Sequence, residues 1–369
     1  MNVVVQIYMV VCIILLVFDI VFLEIKNVRN QRFYPQMPKF EQTIRDEIER
    51  KRNSGEFSGG YLDSLRGKIV KIKYLLSLQS VLDEKTFAKN WFCEVIFSVL
   101  DDYKKKSDYE QAYYAYVIST LDYQKLHISP EFASEFMYFL NSKSLYTLSN
   151  TMNAVYEFGD VNLLLNAIDI IDKRAGFYHK KLLVDGLLSA KVDKEKLAQS
   201  LMKNYDKYSV YTKECLLEYF RFAGDIASEF CMKVIESGPE DSEIKYAAER
   251  YFIKYPTEKS KKMFSDILRS EEKQGWLDEM LAIQGLGHCN DEEVRSLIKH
   301  KITSSNWYVR VNAVEYLKNH GMDKSEISGI IELKDRYTNE SLLYQYRDDK
   351  EMSEYIRESI KKIEGDNTK

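Results

Sequence analysis

"SSNWYVRVNAVEYLKNHG", residues Ser304–Gly321, has the start, body and stop of one amphipathic helix. A tryptophan, Trp307, stands in its first turn and an arginine, Arg310, three residues later. The fold turns on whether this stretch is a lone site or one copy of a repeat.

It recurs. With Tyr308 as anchor, comparable helix starts lie at Leu277, Glu243, Tyr211, Tyr178 and Tyr146, at intervals of 31, 34, 32, 33 and 32 residues. Five residues past the anchors stand Thr151, Leu183, Leu216, Ala248, Ala282 and Ala313; nine past stand Val155, Leu187, Phe220, Phe252, Leu286 and Leu317. A four-residue offset puts both columns on one helix face. Thirteen past come Gly159, Lys191, Gly224, Pro256, Asn290 and Gly321, mostly residues that end helices or favour turns. Asp160, Asp193, Asp225, Thr257, Asp291 and Asp323 follow at once and suit the N-cap of a second helix. Each unit is therefore predicted to be helix, tight turn, helix. Such pairs cannot bury their apolar faces alone, and stacking in an α-solenoid buries them together.

The segment Gly275–Gly321 resembles a HEAT or HEAT-like repeat, through the pattern W-x-V-R-x-x-A-x-x-x-L at Trp307, Val309, Arg310, Ala313 and Leu317. Units nearer the N-terminus keep the spacing and lose the consensus. The resemblance implies an all-α, right-handed α-solenoid of HEAT-like helix pairs (armadillo-type). It implies that an arginine placed as Arg310 contacts an acid or a carbonyl of a neighbouring repeat. It says little about function, because such folds host many unrelated roles.

Composition agrees with helices: Gly and Pro number only 15 and 5, which disfavours a turn-dense β fold. A net charge of −4 with dispersed Arg and Lys gives no footprint for nucleic acid. Cys12, Cys93, Cys215, Cys231 and Cys289 form no CxxC pair and fit reduced, mostly buried thiols. His288–Cys289 is the one close His/Cys pair, without the further ligands zinc needs; no metal and no cofactor is expected. No P-loop, GxGxxG after a strand, or GxSxG is present, so no catalytic residues are assigned.

Val3–Leu23 is apolar and of membrane-spanning length, and predicts a transmembrane helix within an anchor over 1–25. Lys26, Arg29 and Arg32 follow it, which predicts a cell-membrane protein, single-pass, with its bulk in the cytoplasm. Asp19 in that span is open to two readings: hydration near the interface, or pairing with a polar group of a multi-pass membrane partner. Residues 26–60 are expected to be a juxtamembrane linker with one short charged helix, 61–335 the repeat domain, and 336–369 capping helices and a tail. Within 61–140 the register is unclear, and Tyr109–Asp122 is read as a diverged second helix.

Two residues past the anchors lie Leu148, Lys180, Lys213, Lys245, Glu279 and Arg310. The basic members are either a ladder between repeats or a concave stripe for an acidic protein segment; Lys makes the poorer ladder. Trp307 and Trp276, one repeat apart, are expected to pack between units. The 27 tyrosines are expected mostly in cores, with a few on the concave surface. The function expected is a membrane-anchored cytoplasmic scaffold that binds a protein through Lys180, Lys213, Lys245 and Arg310. It would suit an accessory subunit of a bacterial membrane complex such as a glycosyltransferase or exporter. The alternatives are a HEAT-like lyase-type enzyme, as some HEAT-like proteins are chromophore lyases, and a signalling adaptor merely tethered to the membrane.

Overall fold

The computed structural model describes residues 11–12, 15–20, 36–121, 123, 128–174, 176–270 and 274–365. Among these every element is an α-helix or a 3-10 turn, with no strand. The chain forms two compact units, 1–167 and 168–369.

The membrane part of the expected architecture is corrected. Among the described residues no helix is long and apolar enough to cross a membrane. Of the expected span only 11–12 and 15–20 are described; both pieces are helical and exposed, and the rest lies outside the described residues. The single-pass anchor and the membrane setting that rested on it are not supported.

The first unit contains α1 (Met37–Ser54), α2 (Tyr61–Ile69), α3 (Ile72–Glu84), α4 (Cys93–Phe97), α5 (Leu100–Lys104), α6 (Asp108–Ser119), α7 (Pro130–Phe136) and α8 (Leu145–Glu157). The short charged helix expected within 26–60 is α1, and it is more than a spacer. Its Phe40, Ile44 and Ile48 recur every four residues and lie buried in the core of this unit. It stops where Gly55 turns left-handed, at φ 83°. α1 packs on α3, α3 on α6, and α6 on α8. Stacked Tyr103 and Tyr114 rings, 4.6 Å apart, fill the centre, and their buried hydroxyls donate to the Ile69 and Ile96 carbonyls.

α9 (Val161–Asp172) carries the chain across the division between units. The second unit then alternates first helices, α10 (Lys180–Ser189), α12 (Val210–Ala223), α14 (Ser242–Lys254), α16 (Trp276–Gly285), α18 (Trp307–Asn319) and α20 (Arg336–Gln345), with second helices. The latter are α11 (Lys194–Asn204), α13 (Ser228–Glu236), α15 (Glu258–Arg269), α17 (Glu292–Lys299), α19 (Lys324–Ile331) and α21 (Lys350–Gly365). Each first helix packs on the next, from α10 to α20, a row consistent with an α-solenoid.

The periodic columns explain the row. All twelve residues five and nine past the six anchors are buried. Each helix pair of the second unit so gives its neighbours one dry stripe, and truncating such a residue to Ala costs roughly 2–5 kcal/mol where a large side chain is lost. Gly159 and Gly321 turn left-handed, at φ 74° and 79°, and let the chain reverse. Asp193, Thr257, Asp291 and Asp323 each accept a backbone N–H at the start of their second helix. Asp225 does not cap. Its Oδ1 accepts from the Tyr251 hydroxyl, which in turn accepts from the Ala227 N–H, so a tyrosine from the next repeat satisfies that helix start.

Candidate functional site

The expected basic stripe is tied into the row of first helices. Lys180 Nζ pairs with Glu214 Oε2 on α12 at 3.4 Å. Lys245 Nζ pairs with Asp278 on α16 and stands 3.6 Å from Glu249 Oε1 on its own helix. Both acids belong to the next first helix along, so these are links between repeats. Lys213 Nζ lies 5.4 Å from the centre of the Tyr205 ring. Arg310 is buried, and its Nη1 donates to the Ser304 carbonyl at 2.6 Å. Its guanidinium lies 5.8 Å from the Trp307 ring and 5.2 Å from that of Tyr337 on α20. Of the other two residues in that column, Leu148 is buried and Glu279 pairs with Lys301 at 2.6 Å. Asp19 is exposed and far from any of these in sequence. Trp276 stacks on Tyr308 of the next first helix at 5.4 Å, and Trp307 meets the edge of Tyr344 at 5.5 Å. Both tryptophans bridge repeats while keeping one side exposed.

Behind Lys245 lies an unusual carboxyl. Glu249 is fully buried, and neither of its oxygens has a hydrogen-bond partner. Burial pushes it up to about 7, with Asp278 adding to the rise and Lys245 opposing it. Burial would lower the Lys245 ammonium, but its hydrogen bond to Asp278 and the two carboxylates raise it instead. A carboxyl titrating near neutrality beside an ammonium could serve acid–base chemistry. This one is sealed from solvent, and no substrate can reach it without opening the repeat. Among the described residues no group of His, Cys, Asp and Glu could hold a metal ion, and Cys289 Sγ lies 3.4 Å from Nε2 of its neighbour His288.

A groove walled by tyrosines lies elsewhere, between α6 and α8 in the first unit. Two cross-helix bonds set its geometry: Thr147 Oγ1 donates to the Asp108 carbonyl at 3.1 Å, and Asn150 Nδ2 to the Ala112 carbonyl at 2.9 Å. Residue numbers rise together along the two helices, so they run parallel, as successive first helices of a solenoid do. Tyr109–Asp122, read as a second helix, therefore begins with a first helix. The side chains above these bonds form an open groove of about 630 Å³, lined by Tyr109, Ala112, Tyr113, Tyr116, Ser144, Tyr146 and Asn150. Tyr146 is 80% exposed, Tyr109 60% and Tyr116 43%. The Tyr109 and Tyr113 rings meet edge to face at 5.0 Å. Among the described lining residues there is no carboxylate, ammonium or guanidinium. The corresponding groove between α10 and α12 is smaller, about 380 Å³, and carries His179, Lys180, Lys181, Asp185 and Glu218.

No known family model matches the chain, and no curated protein matches it either. The HEAT-like pattern thus stands on the residues alone.

The tyrosines were visible in sequence as "DYEQAYYAYVI", at helical spacing. What hid the site was the interval: Tyr109 precedes Tyr146 by 37 residues, outside the repeat spacing of the later units. The paired lysines also carried a signal that went unused. Glu214 and Asp278 stand 34 and 33 residues after their partners, one repeat ahead.

Proposed function

We propose that the chain is a protein-binding scaffold of HEAT-like repeats, without catalytic activity of its own, and that the α6/α8 groove is where it takes a partner segment. The observation that carries the reading is the cluster of four tyrosines, three of them exposed, around a groove whose described lining carries no charge. Exposed rings in a concave surface cost solvation, and monomeric proteins seldom keep such a patch without use. Tyrosine supplies apolar area at small entropic cost and ends in a hydrogen-bonding tip, which suits protein interfaces. α6 is held between α3 and α8, which keeps its wall of the groove in place. The basic column supports a different part of the same reading: it ties repeat to repeat and leaves recognition to the rings.

The test is site-specific photo-crosslinking in cells. A photoreactive residue replaces Tyr146, and in a control replaces the exposed Asp63 of the same unit. The expected result is one protein, identified by mass spectrometry, captured from position 146, absent from position 63, and lost when Tyr116→Ala is added. Equal capture at both positions would overturn the scaffold reading at this groove.

A further inference from the structure

We infer that the segment gripped by the α6/α8 groove is proline-rich and lies there as a polyproline II helix with a P-x-x-P spacing. This rests on the reading of that groove as a protein-binding site, and it names the partner's chemistry.

Charge comes first. With no ionic side chain among the described lining residues, a charged ligand group placed there would lose water and find no counter-ion. The occupant is therefore uncharged where it touches the groove. Backbone conformation comes second. A strand would need an exposed sheet edge to pair with, and none exists among the described residues. An amphipathic helix would need a wide aliphatic trough, whereas this groove is walled by rings. A polyproline II segment has no internal hydrogen bonds, so its carbonyls look outward for donors. Tyrosine hydroxyls donate, and tyrosine faces pack on the flat pyrrolidine ring.

Spacing comes third. Tyr109, Tyr113 and Tyr116 stand four and three residues apart on α6, which puts them on one face. Seven residues of α-helix rise ~10.5 Å. Three residues of polyproline II rise ~9.3 Å. A ligand lying along α6 therefore sets its two prolines close to the spacing of Tyr109 and Tyr116, with Tyr113 beneath the middle. Tyr146 and Asn150, four residues apart on α8, make the opposite wall with the same rise per turn. The groove in the second unit cannot take this ligand in the same way, because its charged lining would have to be desolvated.

The full chain would be titrated into two fluorescein-labelled sets of uncharged decapeptides, one with a fixed P-x-x-P core and one with A-x-x-A in its place. Binding would be read by anisotropy. The expected result is at least ten-fold tighter binding of the best P-x-x-P peptide than of its alanine counterpart. Tyr116→Ala and Tyr146→Ala should each weaken it at least ten-fold, with unchanged circular dichroism and melting. Tyr146 is four-fifths exposed, so its loss leaves the core intact. Equal binding of the two sets, still lost in the tyrosine variants, would overturn the proline assignment and leave the groove a protein-binding site. Failure of every peptide to bind would also overturn it, and the crosslinked partner would then decide the scaffold reading separately. Tyrosine-dependent binding of maltohexaose in place of peptide would overturn both. So would a dimer in sedimentation that Tyr146→Ala dissolves, since the groove would then be filled by a second copy.

Discussion

Lys245 Nζ stands 3.6 Å from a Glu249 carboxylate that is fully buried and accepts no hydrogen bond. The ammonium is engaged by Asp278 on the next first helix, so it serves two acids at once. Burial holds Glu249 up to about 7, against an ordinary 4.5. Arg250, Tyr246 and Asp278 complete the charged and titratable groups around the pair. Between those two values the folded chain holds a proton that the unfolded chain has released. Stability from this group is therefore full below about pH 4.5, declines as pH rises toward 7, and is flat above. The whole decline is on the order of 3 kcal/mol. Glu249→Gln keeps the shape and removes the charge. In urea denaturation, the variant should be the more stable at pH 8, and the difference should vanish toward pH 5. Parallel curves for the two proteins across that range would show that the carboxylate is already solvated.

Gly285 on α16 meets Phe264 of α15 so closely that an added Cβ would lie 2.1 Å from the ring. Phe264 is fully buried and has no room to retreat. Gly285→Ala should cost about 1–3 kcal/mol, in spite of alanine's better helix propensity. The strain belongs to the pair, so shortening the ring should relieve it. The double variant Gly285→Ala with Phe264→Leu is expected to lose less than the sum of the two single changes, measured as a double-mutant cycle. Additive losses would mean that the helices separate rather than clash.

Cys93, Cys215, Cys231 and Cys289 are buried, and Cys12 is exposed. Burial pushes Cys215 and Cys231 up to about 12, and raises Cys289 as well. Only the thiolate reacts, so these sites are protected twice, by access and by protonation. An aromatic disulfide reagent at pH 8 should modify Cys12 at once and the others only as denaturant is added. Rapid native labelling of Cys215 or Cys231 would reveal local opening of α12 or α13 far easier than global unfolding.

The repeat was legible because its signal is redundant. Leu183, Phe220, Ala282 and Leu317 are each unremarkable, yet their common register with turns and caps has one physical solution, and all four lie buried. Pairing was harder to read. Whether Lys180 faces water or Glu214 depends on how far each helix turns about its axis, and periodicity does not set that rotation. The tyrosine groove needed a neighbour relation, α6 beside α8, that a 37-residue spacing concealed. The apolar stretch at Val3–Leu23 was read from hydropathy alone. The membrane span expected there is not supported, since among the described residues no helix is long and apolar enough to cross a membrane.

Arg310 returns to the stretch that set the register. It is buried, donates to the Ser304 carbonyl, and lies against Trp307 and Tyr337. A flat guanidinium can hydrogen-bond in its plane and meet rings with its faces; an ammonium cannot do both. Charge and geometry can therefore be separated by Arg310→Lys, which keeps the first and loses the second. If Arg310 locks α18 to α20, the lysine variant should lose about 1–3 kcal/mol. Tryptophan emission should also move to the red as the face of Trp307 becomes hydrated. If Arg310 were a cation held for an acidic partner, lysine would substitute with little loss of stability. Thermal denaturation followed by tryptophan fluorescence, in the absence of any partner, distinguishes the two.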